Sequence, residues 1–293
     1  MDGLTFLKEL MKTDPVPVIM LSALTQKGHE TTLKALELGA VDYIQKPASD
    51  ISNGIIELGD EIIRKVRTAA KARIRLATII SQKTAAKSAI SEFSRPNVNG
   101  RLSTATDKII AIGASTGGTE AITEIITALS ESTPGIVIVQ HMPPVFTRSF
   151  AERLNSISRL NVKEAQTGDQ VLRGSVLIAP GDKHMTIRCN GSAYYAEISD
   201  GPMVNFVRPS ADILFRSVAR YAGKNAVGVI LTGMGEDGAR GLREMKEAGA
   251  YTIAQDEASS VVFGMPKKAI EIGAADRVAP LDEIPGIILR HIE

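Results

Sequence analysis

The chain has 293 residues, a length that suggests two domains, one of them large enough to bury a sizeable core. Hydrophobic residues make up 44% and charged residues 23%, an ordinary globular balance, and the formal net charge of +1 argues against a dedicated nucleic-acid binder, which usually carries a basic excess. No run approaches the roughly 18 apolar residues that span a membrane, the N-terminus lacks the apolar core of a signal peptide, and Cys189, the single cysteine, rules out an internal disulfide, so a cytoplasmic location is the default expectation.

Residues 1–70 alternate helix-like and strand-like segments. Leu4 to Met11 has helical spacing, and Pro17 to Leu21 is a short buried-strand run. Thr31 to Leu38 is helical and stops at Gly39, a residue suited to the helix C-cap. Ala40 to Ile44 reads as a strand ended by Pro47, and Ile51 to Val66 as an amphipathic helix. Such alternation implies a parallel sheet.

Residues 71–105 read as a basic linker. Arg64, Lys65, Arg67, Lys71, Arg73, Arg75, Lys83, Lys87, Arg95 and Arg101 face a single acid, Glu92, and the stretch ends in the loop-like Ser94 to Gly100. A solvated, positively charged connector is the plain reading, and a docking segment for an acidic partner the sharper one. No helix-turn-helix pattern accompanies the charge, so a DNA-binding output domain does not follow.

Residues 106–293 alternate again. Ile109–Ile112, Ile136–Val139, Val227–Leu231, Tyr251–Ala254 and Arg277–Ala279 read as strands, all but the last followed by a helical stretch. His184–Arg188 and Ala193–Ile198 flank a turn at Asn190-Gly191, predicting a hairpin. The fold class expected is α/β: a doubly wound, mostly parallel sheet with an antiparallel hairpin, preceded by a smaller partial α/β domain.

In open α/β sheets, functional groups gather beyond the carboxyl ends of the strands. After the first strand comes Gly113-Ala-Ser-Thr-Gly-Gly118, a Gly-x-Ser-x-Gly elbow in strand-turn-helix context. Ser115 would stand at the apex, with the N–H groups of the next helix aimed at a developing oxyanion. A plain glycine-rich turn is the bland alternative. A phosphate cradle is the rival, but the P-loop lysine is missing. After the second strand comes Gln140-His141-Met-Pro-Pro144, where a histidine held by prolines suits a general base. After Val227–Leu231 comes Thr232-Gly-Met-Gly-Glu-Asp-Gly238. Asp237 is the preferred acid to orient the histidine, with Glu236 and Asp256 as alternatives and a helix N-cap as its plain reading. Chain order Ser, His, Asp differs from that of ordinary α/β-hydrolases, and a triad is defined by geometry and not order.

These segments, together with Ala179-Pro-Gly181, His184-Met185, Pro209-Ser-Ala-Asp212 and Phe263-Gly-Met-Pro266, resemble the CheB-type chemotaxis protein-glutamate methylesterases across the whole of residues 106–293. The resemblance implies Ser115 as nucleophile, His141 as base and Asp237 as acid. It implies Thr116, Gly117, Gly118 and Met234 beside the reaction centre, with backbone N–H groups there holding the oxyanion. It implies hydrolysis of glutamate methyl esters, and deamidation of glutamines, on methyl-accepting chemoreceptors, with no cofactor and no metal, in a protein that neither binds nucleic acid nor inserts in a membrane.

Residues 1–70 resemble the second half of a response-regulator receiver. Ser22 matches its hydroxyl position and Lys46, in Lys46-Pro47, its conserved lysine. The phospho-accepting aspartate and the Mg²⁺-holding acids of the receiver belong upstream of Met1 and are absent from this chain, so the remnant's sheet is expected to leave an apolar face uncovered. A chemotaxis histidine kinase is the further partner that a receiver implies. In this family the receiver covers the esterase site until phosphorylation relieves it.

Overall fold

The computed structural model describes residues 2–22, 26–46, 51–72 and 106–292. The predicted linker therefore lies outside the described residues apart from Lys71 and Ala72, and so does Pro47.

Three strands with no exposed residue form the middle of the C-terminal sheet: β3 (Ile109–Ala114), β4 (Gly135–Gln140) and β9 (Ala226–Ile230). Their near-continuous apolar sequence is what a strand covered on both faces requires. Side chains alternate across the sheet. Ile110 and Ile112 enter one core with Ile122, Ile125 and Phe150, while Ile109 and Ala111 enter the other with Phe215, Leu242 and Met245.

The sheet has seven strands in the order β11 (Arg277–Ala279), β10 (Tyr251–Gln255), β9, β3, β4, β6 (Ser175–Ile178), β5 (Asn161–Glu164). Every pairing in it is parallel. Helices α4 (Gly118–Ala128) and α5 (Phe146–Ile157) supply the first core, α6 (Ala211–Ala222) and α7 (Ala239–Glu247) the second. From β3 the chain runs outward through β4 to one edge, then returns through β9 to the other. This places the topological switch point at β3, where a doubly wound sheet opens its crevice. The antiparallel hairpin is β7 (His184–Asn190) with β8 (Ala193–Ser199), its inner face of Met185, Ile187, Tyr194 and Ala196 packed into the second core.

Three details differ from the sequence reading. Asn190 pairs with Ala193, so the hairpin loop is Gly191-Ser192, one residue later, with Gly191 at a φ of 62°. The last strand, β11, is followed by a helix after all, α8 (Ile284–Ile292), entered through a 3-10 turn. Strands β5 and β6 carry no signal of their own: β5 buries only Val162 and β6 is a four-residue run, too short to show a period.

The N-terminal body is α1 (Gly3–Thr13), β1 (Ile19–Ser22), α2 (Gln26–Glu37), β2 (Asp42–Gln45) and α3 (Ile51–Ala69), with β1 and β2 parallel in a two-stranded sheet. Asp2 caps α1 through Thr5 N, and Gly39 at a φ of 103° closes α2. Phe6, Val16, Leu21, Ile63 and Val66 are exposed, and of these only Leu21 lies on the sheet. On its other side the body joins the first core through Leu7, Met11, Leu33, Leu36 and Tyr43, and the Tyr43 ring stacks on Phe146 with centroids 4.6 Å apart.

Candidate active site

Ser115, His141 and Asp237 follow the carboxyl ends of β3, β4 and β9, three strands adjacent in the order β9, β3, β4. The β3–β4 register pairs Ala114 with Gln140, and His141 N donates to Ala114 O at 3.1 Å, so Ser115 and His141 start neighbouring loops at the same height. The elbow is tight. Gly117 sits at a φ of 76°, and a Cβ there would lie 2.6 Å from Val261 Cβ. Thr232 stitches the turn to the β9 loop: its carbonyl accepts from Ser115 N at 3.0 Å and its hydroxyl donates to Thr116 O at 3.0 Å. Gln140 braces it from β4, donating from Nε2 to Ser115 O at 2.9 Å.

His141 Nε2 and Asp237 Oδ2 are 2.9 Å apart, with the two side chains 11% and 3% exposed. The alternative acids lie elsewhere in bonding. Glu236 pairs with Arg240 at the surface, and Asp256 caps its own turn by accepting from Ser259 N and Oγ. Asp237 is saturated. Oδ1 accepts from Ser210 Oγ at 2.6 Å and Asn205 Nδ2 at 2.8 Å, and Oδ2 accepts from Ala211 N at 2.6 Å besides facing His141. Burial by itself pushes this carboxyl up. The bonds from His141, Ser210 and Asn205 outweigh burial and hold it below its ordinary value of 3.8. Asp212, buried nearby and accepting from Gly241 N at 2.7 Å, goes the other way: burial dominates, Asp237 adds to it, and the carboxyl is raised.

Among the described residues, Ser115 Oγ makes no hydrogen bond, so the serine-to-histidine contact is not formed here. Gly118 N donates to Ser115 O at 2.7 Å and is spent on the turn, while among the described residues the N–H groups of Thr116, Gly117 and Met234 have no hydrogen-bond partner. Both flanks of the site meet the N-terminal body. Thr116 Oγ1 donates to Asp42 Oδ2 at 2.8 Å, and Thr68 Oγ1 lies against Met234 Sδ. Lys65 holds Asp42 from behind at 3.1 Å.

His184 is structural: it accepts from Ser210 N at Nδ1 and binds Pro202 O through Nε2 at 2.8 Å. His291 stacks on Tyr251. In the N-terminal body Ser22 is buried and bonded to Thr32, Lys46 is exposed, and Lys46 N donates to Ser22 O at 2.8 Å, so both lie at one end of the β1–β2 sheet. A cavity of about 350 Å³ lies beside the His141 loop, lined in part by Pro144, Glu164 and Lys183, and none of the three candidate residues lines it. Among the described residues, no group of His, Cys, Asp and Glu is arranged to hold a metal ion, and no helix is long and apolar enough to cross a membrane.

Ser210, Asn205, Asp212, Gln140 and Thr232 were not expected as parts of the site. Ser210 and Asp212 stood in the sequence only as a matching segment. A serine one residue before a helix with an acid two positions on is an N-cap pattern, and its second use, toward Asp237, had no local signal.

The domain is a doubly wound α/β sheet with a serine elbow and a histidine–carboxylate contact at its switch point. Residues 110–288 match the CheB methylesterase family, and residues 1–53 match the response regulator receiver domain. The chain belongs to the CheB methylesterase family of hydrolases. It is 53% identical over 292 residues to a protein-glutamate methylesterase/protein-glutamine glutaminase of Burkholderia lata, covering 100% of this chain and 80% of that one. It is 55% identical over 278 residues to the protein of the same description from Photorhabdus laumondii, covering 95% and 76%. The crystal structure of the Thermotoga maritima CheB methylesterase catalytic domain superposes with a TM-score of 0.61 at 43% identity, over 62% of this chain and 97% of that one.

Proposed function

We propose that this chain hydrolyses glutamate methyl esters, and deamidates glutamines, on methyl-accepting chemoreceptors in chemotactic adaptation, with Ser115 as nucleophile, His141 as base and Asp237 as the orienting acid. The observation that carries the reading is the 2.9 Å contact of His141 Nε2 with Asp237 Oδ2, one strand away from Ser115. Asp237, ionised and saturated, accepts a hydrogen bond from Nε2–H and fixes the tautomer, which leaves Nδ1 to receive the Ser115 proton.

Ser115 Oγ attacks the ester carbonyl carbon as its proton passes to His141. The tetrahedral oxyanion is held by the unspent N–H groups of Thr116, Gly117 and Met234. The bond between the carbonyl carbon and the methoxy oxygen breaks, methanol leaves with the proton from His141, and water repeats the sequence on the acyl-enzyme to release the glutamate carboxylate and Ser115. For a glutamine side chain the leaving group is ammonia. The serine-to-histidine bond forms on substrate binding by side-chain rotation, since such bonds are often loose in the unliganded enzyme.

The substrate side chain projects from a receptor helix, which an open cleft accepts better than a pocket. The chain divides in this reading into a partial receiver (1–70), a basic linker (71–105) and the catalytic domain (106–293). The receiver part, addressed by a chemotaxis histidine kinase in proteins of this kind, restrains the site through Asp42 on Thr116 and Thr68 on Met234.

The test is methanol release from methylated chemoreceptor membranes. Ser115→Ala should lower release by about 10⁴-fold or more, in line with nucleophile removal in serine hydrolases. Release that survives in the variant would overturn the assignment of the nucleophile.

A further inference from the structure

The chain between the hairpin and α6 makes an unusual turn. Val204 and Val207 bridge each other, N to O in both directions, at 3.2 and 3.0 Å. The two residues between them, Asn205 and Phe206, both sit in the left-handed region, at φ 53° and 64°. Both at positive φ is the signature of a type I′ turn, a position that favours Asn first and Gly second. Phenylalanine in the second place is strained, by about 1–2 kcal/mol. Phe206 is 91% exposed and buries nothing in return. What the turn does accomplish is on the other side: it drives the Asn205 amide inward between two buried carboxylates.

Asn205 Nδ2 donates to Asp237 Oδ1 at 2.8 Å and to Asp212 Oδ2 at 2.8 Å. An amide nitrogen carries two hydrogens, and an ionised carboxylate only accepts, so this orientation supplies one proton to each acid. It is also a neutral bridge where any second carboxylate would repel. With Ser210, Ala211 and His141 it brings Asp237 to four partners, about the full accepting capacity of a carboxylate. A carboxylate with all its positions taken cannot swing, and its plane sets the plane of the imidazole.

We infer that Asn205 is a positioning residue for the hydrolysis, holding Asp237 apart from Asp212 and in the orientation that aligns His141. The inference rests on the proposed triad. The groups that face the Asn205 amide, directly or through one partner, are Asp212 and Arg216 on α6, Asp237 ahead of α7, and His141 after β4.

Two variants of the full chain separate positioning from folding. Asn205→Gly keeps the left-handed turn and deletes the amide. Asn205→Asp keeps shape and turn preference but puts a third carboxylate among the acids, where like charges keep it protonated to higher pH than usual. Turnover of p-nitrophenyl acetate, a small ester that needs no receptor docking, should fall about 10- to 100-fold in Asn205→Gly, with little change in KM. In Asn205→Asp the loss should be at least as large at pH 8 and should shrink as the pH falls and the new carboxyl regains its proton. The low-field proton resonance of the His141–Asp237 bond should shift or broaden in both variants while the melting temperature stays near the parent's. A parent that turns over while both variants match it in kcat, pH profile and proton resonance would overturn the assignment of Asn205 alone. A parent whose small-ester activity survives Ser115→Ala would overturn the triad, and this assignment with it.

Discussion

The two regions of this molecule are built from the same units, helices alternating with short parallel strands, and bury them to very different extents. In the C-terminal sheet β3, β4 and β9 have no exposed residue. In the N-terminal body β1 has one buried residue, Ser22, and Leu21 beside it is 58% exposed. A strand with neighbours on both sides and helices on both faces is held wherever it is touched, and loops leaving such strands can carry groups that must stay within a fraction of an ångström. A two-stranded sheet with an open edge offers no such platform. The candidate residues sit at the edge of the buried sheet, and beside them the N-terminal body makes polar contacts, Asp42 with Thr116 and Thr68 with Met234, in addition to its apolar packing on the first core.

The largest break in this comparison comes from the site. Asp237→Asn should cost about 10⁴-fold in kcat, because the amide stabilises the wrong imidazole tautomer, and should leave the KM for a small ester near the parent's. Steady-state kinetics on that ester checks it.

Core truncations come next. Ile112→Ala, at a fully buried site on β3, should destabilise by about 2–5 kcal/mol, whereas Leu21→Ala on β1 should stay within about 0.5 kcal/mol. Denaturant unfolding of both variants reads the contrast, and equal effects would remove the distinction between the regions.

The seam between them should respond in the opposite sense. Asp42→Ala removes the acceptor of Thr116 Oγ1, a bond worth about 1 kcal/mol net, and should raise small-ester turnover by roughly fivefold at most. A fall in turnover would mean that Asp42 supports the site and does not restrain it.

The smallest effect is acid sensitivity. Asp237 is held below its ordinary value of 3.8, so its contribution to stability is complete above that pH and is lost as the pH falls through the lower folded value. Asp212 is raised, and its burial therefore weighs against the fold as the pH climbs from 3.8 through the higher folded value. Comparing the melting temperature of Asp237→Asn and Asp212→Asn with the parent between pH 3 and 7 should show the acid-side loss reduced in the first and a gain on the neutral side in the second.

Local pattern and tertiary arrangement contributed differently to this reading. The apolar runs of β3, β4 and β9 and the glycine-rich elbow are legible because a buried strand needs consecutive apolar residues and a sharp turn needs glycine. Ser115 and His141 are legible because each directly follows one of those runs, and Asp237 because it stands in the glycine-rich loop that leaves the third. Asp237 is the acid the sequence favours, and that it contacts His141 while Glu236 and Asp256 bond elsewhere is visible only in the fold. Likewise β5, with one buried residue, has no sequence period to announce it.

What the sequence by itself determined, then, is the doubly wound sheet and the three loops that carry the candidate groups, because burial and turn geometry are dictated within a few residues. What only the tertiary structure decided is the company those groups keep. Asn205, Ser210 and Ala211 reach Asp237 from some 30 residues away, and Asp42 reaches Thr116 across 74 residues of chain. A hydrogen bond between distant residues leaves no local pattern, since its geometry exists only after the sheet has brought the loops to one edge.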